Sequence, residues 1–291
     1  IGHNTLDANT TASANIAIGA SSLTNNTTGD NNIAVGYQAL EANTTASSNT
    51  GVGLQALRLN TTGASNTAMG AAALDANQTG SNNTAVGVSS LTSCTGSSNT
   101  AFGHQAGANA TTASNNVFLG RDAGITGSPG GNVTTSGGIL VLGDENISAA
   151  HIQVSFTVAS DKRDKTDVEP VKMGLDFVNK LEPVTYKWDK RSLYVEKGED
   201  FNDIVPDGSH KEDWLDVGFL AQDVEKLESE YGYNISDKTN LTTDVSENGE
   251  QYGLTYSKFV PMLVKAVQEL STQVDELKAS NTNLKGGLIW Q

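Results

Sequence analysis

Ser160 and Lys165 set a hydroxyl and an amine five residues apart in the segment Ser160-Asp161-Lys162-Arg163-Asp164-Lys165, where a repetitive sequence gives way to a mixed one. A serine hydroxyl becomes a useful nucleophile only when a base takes its proton, and a desolvated, neutral lysine can be that base. Serine–lysine pairs carry out acyl transfer without a histidine. The spacing has a second reading, a charged surface turn that opens a domain. The hexapeptide alone does not choose between the two; the elements on either side of it do.

Those elements differ in composition. Residues 1–159 carry seven acidic side chains (Asp7, Asp30, Glu41, Asp75, Asp122, Asp144 and Glu145) and two basic ones, Arg58 and Arg121. The rest of the chain holds 26 acidic and 16 basic residues, so −5 of the formal charge of −15 lies before the join and −10 after it. That change marks a domain boundary. A chain this acidic is a poor partner for nucleic acid, because phosphate binding needs clustered Lys and Arg. The single cysteine, Cys94, excludes an intrachain disulfide framework and a multi-cysteine metal site, and no cofactor or metal is expected. No run approaches the ~18 apolar residues of a membrane span, so no membrane insertion is expected. The 291 residues allow two domains. Ile1 already sits inside a repeat, so the chain reads as a fragment of a longer protein. With 30 glycines and 6% aromatic residues it suits an elongated, repetitive object better than one large core.

The front of the chain is one unit copied. Glycines at 2, 19, 36, 53, 70, 87, 103 and 120 recur every 17 residues, with a single step of 16 between 87 and 103. A fixed short period indicates a solenoid or array whose units bury their apolar faces against one another. Before each glycine apolar residues alternate, as in Ile16/Ile18, Ile33/Val35 and Val117/Leu119, which predicts a short strand with one buried face. Leu6, Leu23, Leu40, Leu57, Leu74 and Leu91 follow four residues after the glycine, in a second turn or strand. Segments such as Asn26-Thr27-Thr28-Gly29 have the chemistry of turns. The short step falls at Cys94-Thr95-Gly96, where one turn residue is missing and the strands stay in register. The asparagine column (Asn15, Asn32, Asn49, Asn66, Asn83, Asn99, Asn116) predicts stacked side chains bonding to turn backbones, with a ligand ladder or glycan acceptors at sites such as Asn26 as the functional alternative. Cys94 stands where other units carry asparagine and is expected to be inert. The threonine columns offer a hydroxyl surface for sugar or ice as a further reading.

Behind the repeats, residues 125–139 read as a Gly/Ser/Thr-rich loop. Ile139–Gly143 and His151–Val154 read as short strands of a neck. Leu175, Phe177, Val178 and Leu181 predict a short amphipathic helix, Val184–Trp188 a strand, and Gly218–Val224 the opening of another helix. The polar stretches 190–214 and 229–252 read as extended arms or hairpins. Val260, Leu263, Val267, Leu270, Val274, Leu277, Asn281, Leu284 and Leu288 step by three and four, the heptad pattern of a coiled coil. The alternative is a helix packed within one domain. Val at a and Leu at d would suit a parallel dimer, and Asn281 acts as a register device, so the heptads by themselves do not fix a trimer.

The 17-residue unit resembles the heads of trimeric autotransporter adhesins and the stalk repeats of bacteriophage tail fibres. That resemblance implies a β-roll or an interwoven β-prism built from three chains. Four ordered motifs follow: Ser160-Asp161-x-Arg163-x-Lys165; Leu181-x-Pro183-Val184-x-Tyr186-x-Trp188; Gly218-Phe219-x-Ala221-Gln222-Asp223-Val224; and Tyr256 with Val260-Pro261-x-Leu263-Val264-x-Ala266-Val267-x-Glu269-Leu270. Together they resemble the intramolecular chaperone auto-processing domain of phage tail spikes, tail fibres and endosialidases. Asp164 departs from that family, which carries an apolar residue there.

The resemblances imply a mainly β homotrimer: a stalk over 1–124, a neck over 125–159, and an α+β chaperone domain over 160–291 whose coiled-coil helix runs from about 256 to 288. They imply a phage tail-fibre fragment whose C-terminal domain aids trimeric folding. It then cuts itself away once, in cis or within the trimer, as a serine endopeptidase without a substrate in trans. Ser160 attacks the carbonyl of Ala159 with Lys165 as base, the Ala159–Ser160 bond breaks, and water resolves the acyl-enzyme. The chemistry needs a neutral Lys165, which burial by assembled neighbours would favour. The expected partners are two further copies of the chain and a host-surface receptor, a glycan, for the mature fibre. The stalk is expected in the virion tail, with the chaperone domain released in the host cytoplasm. The alternative is a cellular trimeric adhesin with a host- or glycan-binding head, which would need a C-terminal outer-membrane barrel segment where this chain carries heptads. A glycan-degrading spike would need paired carboxylates, and the repeats hold scarcely one acid per unit.

Overall fold

The computed structural model describes residues 1–147, 149–153, 155–195 and 199–287, the last three of these by backbone alone. Val154 and Leu288–Gln291 therefore lie outside the described residues, including the last heptad position. The chain forms two compact units: Ile1–Ala150 with Lys190–His210 and Ser246–Gln251, and His151–Asp189 with Lys211–Val245 and Tyr252 onward. Among the described residues no helix is long and apolar enough to cross a membrane, and no group of three or more His, Cys, Asp or Glu could hold a metal ion.

The first unit is a parallel β-solenoid. Three-residue strands β1 (Ile16–Ile18), β2 (Ile33–Val35), β3 (Thr50–Val52), β4 (Thr67–Met69), β5 (Thr84–Val86), β6 (Thr100–Phe102), β7 (Val117–Leu119) and β8 (Leu140–Leu142) pair in chain order in one sheet. Each strand pairs with the next coil of its own chain, which is the roll of the two expected arrangements. The register steps by 17 residues, by 16 from Thr84 to Thr100, and by 23 from Val117 to Leu140. β8, expected in a neck, is thus the eighth rung of the sheet, and His151–Gln153 form no strand.

The inward and outward faces of the strands reverse the expectation. The middle residue of each strand is buried, and it is small in the first six: Ala17, Ala34, Gly51, Ala68, Ala85 and Ala101. The flanking residues Ile16, Ile18, Met69, Phe102, Leu119, Leu140 and Leu142 face outward and are exposed. The interior is too narrow for a large side chain at the strand because a second column already fills it. Leu23, Leu40, Leu57, Leu74 and Leu91 are fully buried, each stabilising its coil by roughly 1.5–3 kcal/mol. They reach that interior from left-handed backbone, with φ between 48° and 54°, a conformation uncommon for a bulky residue. Where the leucine column ends, at Gly107 and Gly124, the strand position enlarges to Phe118, whose ring sits beside both glycines.

Asparagines tie the coils together. Asn49 shows the rule: its Oδ1 accepts the Asn66 N–H at 2.9 Å and its Nδ2 donates to Gly63 O at 2.9 Å. Each amide so bonds two neighbouring coils, the stacking expected of this column. The threonine column is engaged too, since the hydroxyls of Thr27, Thr44 and Thr61 donate to carbonyls of the following coil.

In the second unit, helix α1 (Leu175–Lys180), the hairpin-like pair β9 (Val184–Tyr186) and β10 (Asp216–Gly218), helix α2 (Ala221–Glu230), the antiparallel pair β11 (Thr243–Val245) and β12 (Tyr252–Leu254), and helix α3 (Phe259–Gly287) follow in order. Met173, Phe177, Val224, Leu227, Phe259 and Met262 form its core. Glu228 is fully buried yet satisfied, accepting bonds from Thr242 N–H at 2.6 Å and from the hydroxyls of Thr242 and Thr243 at 2.7 and 2.6 Å. It joins α2 to β11. α3 buries Phe259, Met262 and Ala266 in this core, while Val260, Leu263, Val267, Leu270, Val274 and Leu277 stay exposed. One face of the helix therefore packs within the domain, as in the second reading of its sequence, and among the described residues the heptad face is exposed.

Candidate active site

A tight local turn brings the candidate dyad together. Asp161 is a favourable N-cap residue, and its side chain accepts the Arg163 N–H at 2.9 Å to start a 3-10 turn over Lys162–Asp164. The Arg163 guanidinium folds back on the same carboxylate at 2.6 Å, and this side-chain bond, with the backbone one, holds Asp161 below the usual carboxylate range. The turn closes as Lys165 N–H donates to Lys162 O at 3.3 Å. Residues 160 and 165 then face each other, and Lys165 Nζ lies 2.6 Å from Ser160 Oγ.

That distance is within direct proton-transfer reach. Both side chains are exposed, as is Ala159, whose carbonyl precedes Ser160 in a segment without regular secondary structure. Exposure suits a scissile bond, whereas a neutral amine is favoured by desolvation. The single chain therefore holds the Ser160–Lys165 contact in exposed surroundings.

The other motif residues gather in the same unit. Tyr186 and Trp188 meet edge to face at 5.3 Å, and Trp188 Nε1 donates to Asp216 at 3.3 Å, fixing β9 against β10. Phe219 stacks on Phe259 at 5.4 Å, and its N–H donates to the Tyr256 hydroxyl at 3.1 Å. Glu269 on α3 accepts the Leu175 N–H at 2.7 Å, so a carboxylate closes the positive end of α1. The motifs read from the sequence thus build the frame of the domain; the dyad lies ahead of that frame, near its first residues.

Two carboxylates of consequence lie outside the motifs, Glu228 within α2 and Glu247 in the polar stretch 229–252. A single glutamate among polar neighbours offers no signal of its own, and only its distant threonine partners reveal the role.

Residues 160–233 match the family model described as the chaperone of endosialidase, a peptidase-related family, and the match starts at Ser160. No curated protein and no solved structure matches the chain. The match supports a chaperone domain with a role in folding a trimeric fibre. It ends before α3.

Proposed function

We propose that this chain is part of a phage tail fibre whose C-terminal domain aligns three copies of the β-solenoid and then releases itself at Ala159–Ser160. The observation that carries the reading is the 2.6 Å contact between Ser160 Oγ and Lys165 Nζ at the first residue of the chaperone match. Lys165, neutral once neighbours cover it, takes the Oγ proton as Oγ attacks the Ala159 carbonyl carbon. The tetrahedral centre collapses with cleavage of the C–N bond, and the lysine returns the proton to the departing Ser160 nitrogen. Ala159 is then an ester on Ser160 Oγ, which one water hydrolyses to the Ala159 carboxylate and the free hydroxyl.

Trimerisation is supported by two apolar stripes exposed among the described residues: the outward residues of the solenoid strands and the heptad face of α3. Monomeric soluble proteins rarely leave large contiguous apolar patches exposed. A solenoid of near-identical rungs specifies its register weakly, since a slip of one whole coil loses few contacts; a separate aligning domain answers that need. Mass spectrometry of the purified protein under denaturing conditions tests the cleavage: a fragment beginning at Ser160 is expected, and Ser160→Ala removes it.

A further inference from the structure

Along the turn edge of the solenoid, donors of each coil point to a carbonyl of the next. The N–H and hydroxyl of Thr27 donate to Thr44 O at 2.8 and 3.0 Å. The N–H groups of Thr61, Thr62 and Gly63 converge on Gln78 O at 2.9, 3.1 and 3.3 Å. Thr111 donates likewise to Thr134 O, at 2.7 Å from its N–H and 3.0 Å from its hydroxyl. Thr134, Thr135 and Ser136 occupy the same place in the coil that ends with β8, the last strand of the sheet. Among the described residues their donors have no further coil to meet.

They meet Glu247 instead. Its carboxylate accepts the N–H of Thr134 at 3.1 Å, of Thr135 at 3.1 and 3.2 Å, and of Ser136 at 3.2 Å, together with the Thr134 hydroxyl at 3.0 Å and the Thr135 hydroxyl. Glu247 sits in the turn between β11 and β12, and Ser246–Gln251 belong to the same compact unit as the coils. The tip is held there by a second contact: a Cβ on Gly131 would lie 2.7 Å from that of Ser246. Arg191 steadies its far end, donating to Glu250 O at 2.5 Å.

We infer that Glu247 caps the solenoid by standing in for the carbonyl of an absent next coil, so that the hairpin tip recognises a completed terminal turn. A carboxylate has two oxygens and a charge where a peptide carbonyl has one neutral oxygen, so it can serve three N–H groups and two hydroxyls at once. Only a finished turn presents these donors side by side, which makes the contact selective for a folded end. It also covers an edge that would otherwise be free to pair with another chain. The contact does not depend on cleavage; if the proposed cleavage occurs, Glu247 leaves with the released fragment and the end of the stalk is uncovered.

Hydrogen exchange on the full-length chain tests this, in a Ser160→Ala background with intact mass showing residue 247 still joined to the stalk. Glu247→Ala should speed exchange at Thr134–Ser136 by about tenfold or more, the loss of charge-assisted bonds, with Thr44–Thr62 unchanged. Unaltered protection at 134–136, or an equal loss along all coils, overturns the inference. Glu247→Gln keeps one acceptor oxygen and should fall between; a Gln chain no better protected than the Ala chain also overturns it.

Discussion

Cys94 interrupts an inner ladder of asparagines in which Asn43, Asn60 and Asn77 each donate from Nδ2 to the Oδ1 of the preceding rung, at 2.8, 3.0 and 2.8 Å. The thiol cannot continue the ladder, and Asn77 Oδ1 is left buried without a donor. An asparagine is close to cysteine in volume and could donate to both Asn77 Oδ1 and Gly96 O. Cys94→Asn should therefore raise the stability of the solenoid by about 1 kcal/mol, read as a higher denaturation midpoint. At this scale the sequence was informative about side chains and silent about backbone. The asparagine column and the Ser160/Lys165 pair stand at fixed spacings, whereas nothing in a leucine announces a positive φ. Glu247 was equally hidden, because its partners lie more than a hundred residues away. Its titration is a second test. Partial burial works to raise its pKa, but the Thr135 hydroxyl and the backbone N–H groups of 134–136 outweigh that and bring it down to about 2 from 4.5. Since the folded value is the lower one, the contact contributes above pH 4.5 and is lost as pH falls toward 2. Protection factors at Thr134–Ser136 should decline over that window, while those at Thr44 should hold.

Elements were legible where the period is regular and obscured where it breaks. The one-residue deletion at Cys94–Gly96 was visible because strands on both sides kept their spacing. The 23-residue step to β8 hid the eighth rung, since six extra residues in the loop displaced its glycine from column to Gly143. The alternation of apolar residues located the strands but not their faces, as a small-residue column can be the buried one when leucines fill the interior from the turn. The segment read as heptads forms helix α3, and its other face, Phe259, Met262 and Ala266, packs into the domain. The heptad face gives a test confined to this element. Leu270 is exposed in the single chain, so Leu270→Asp should leave the secondary structure of the domain intact. In an assembled coil it would bury unpaired charges. Light scattering should then show three chains per particle for the native protein and a shift toward monomer for the variant; a native monomer contradicts the trimer.

For the whole molecule, the division of labour follows from the physics of repetition. A stack of like coils gains stability from nearest-neighbour contacts and can nucleate at any of them, so in the proposed trimer correct alignment of three stacks has to come from elsewhere. The mixed domain supplies sequence-unique contacts and a heptad helix. If the domain then departs, the fibre loses the means to refold and its persistence becomes a matter of unfolding rate. All of this depends on the bond between Ala159 and Ser160. The direct measurement is the mass of the chains in purified, assembled protein under denaturing conditions. Self-cleavage predicts a stalk chain ending at Ala159 and a fragment beginning at Ser160, both absent from Ser160→Ala and Lys165→Met proteins. Full-length chain persisting in a properly assembled native trimer would contradict it.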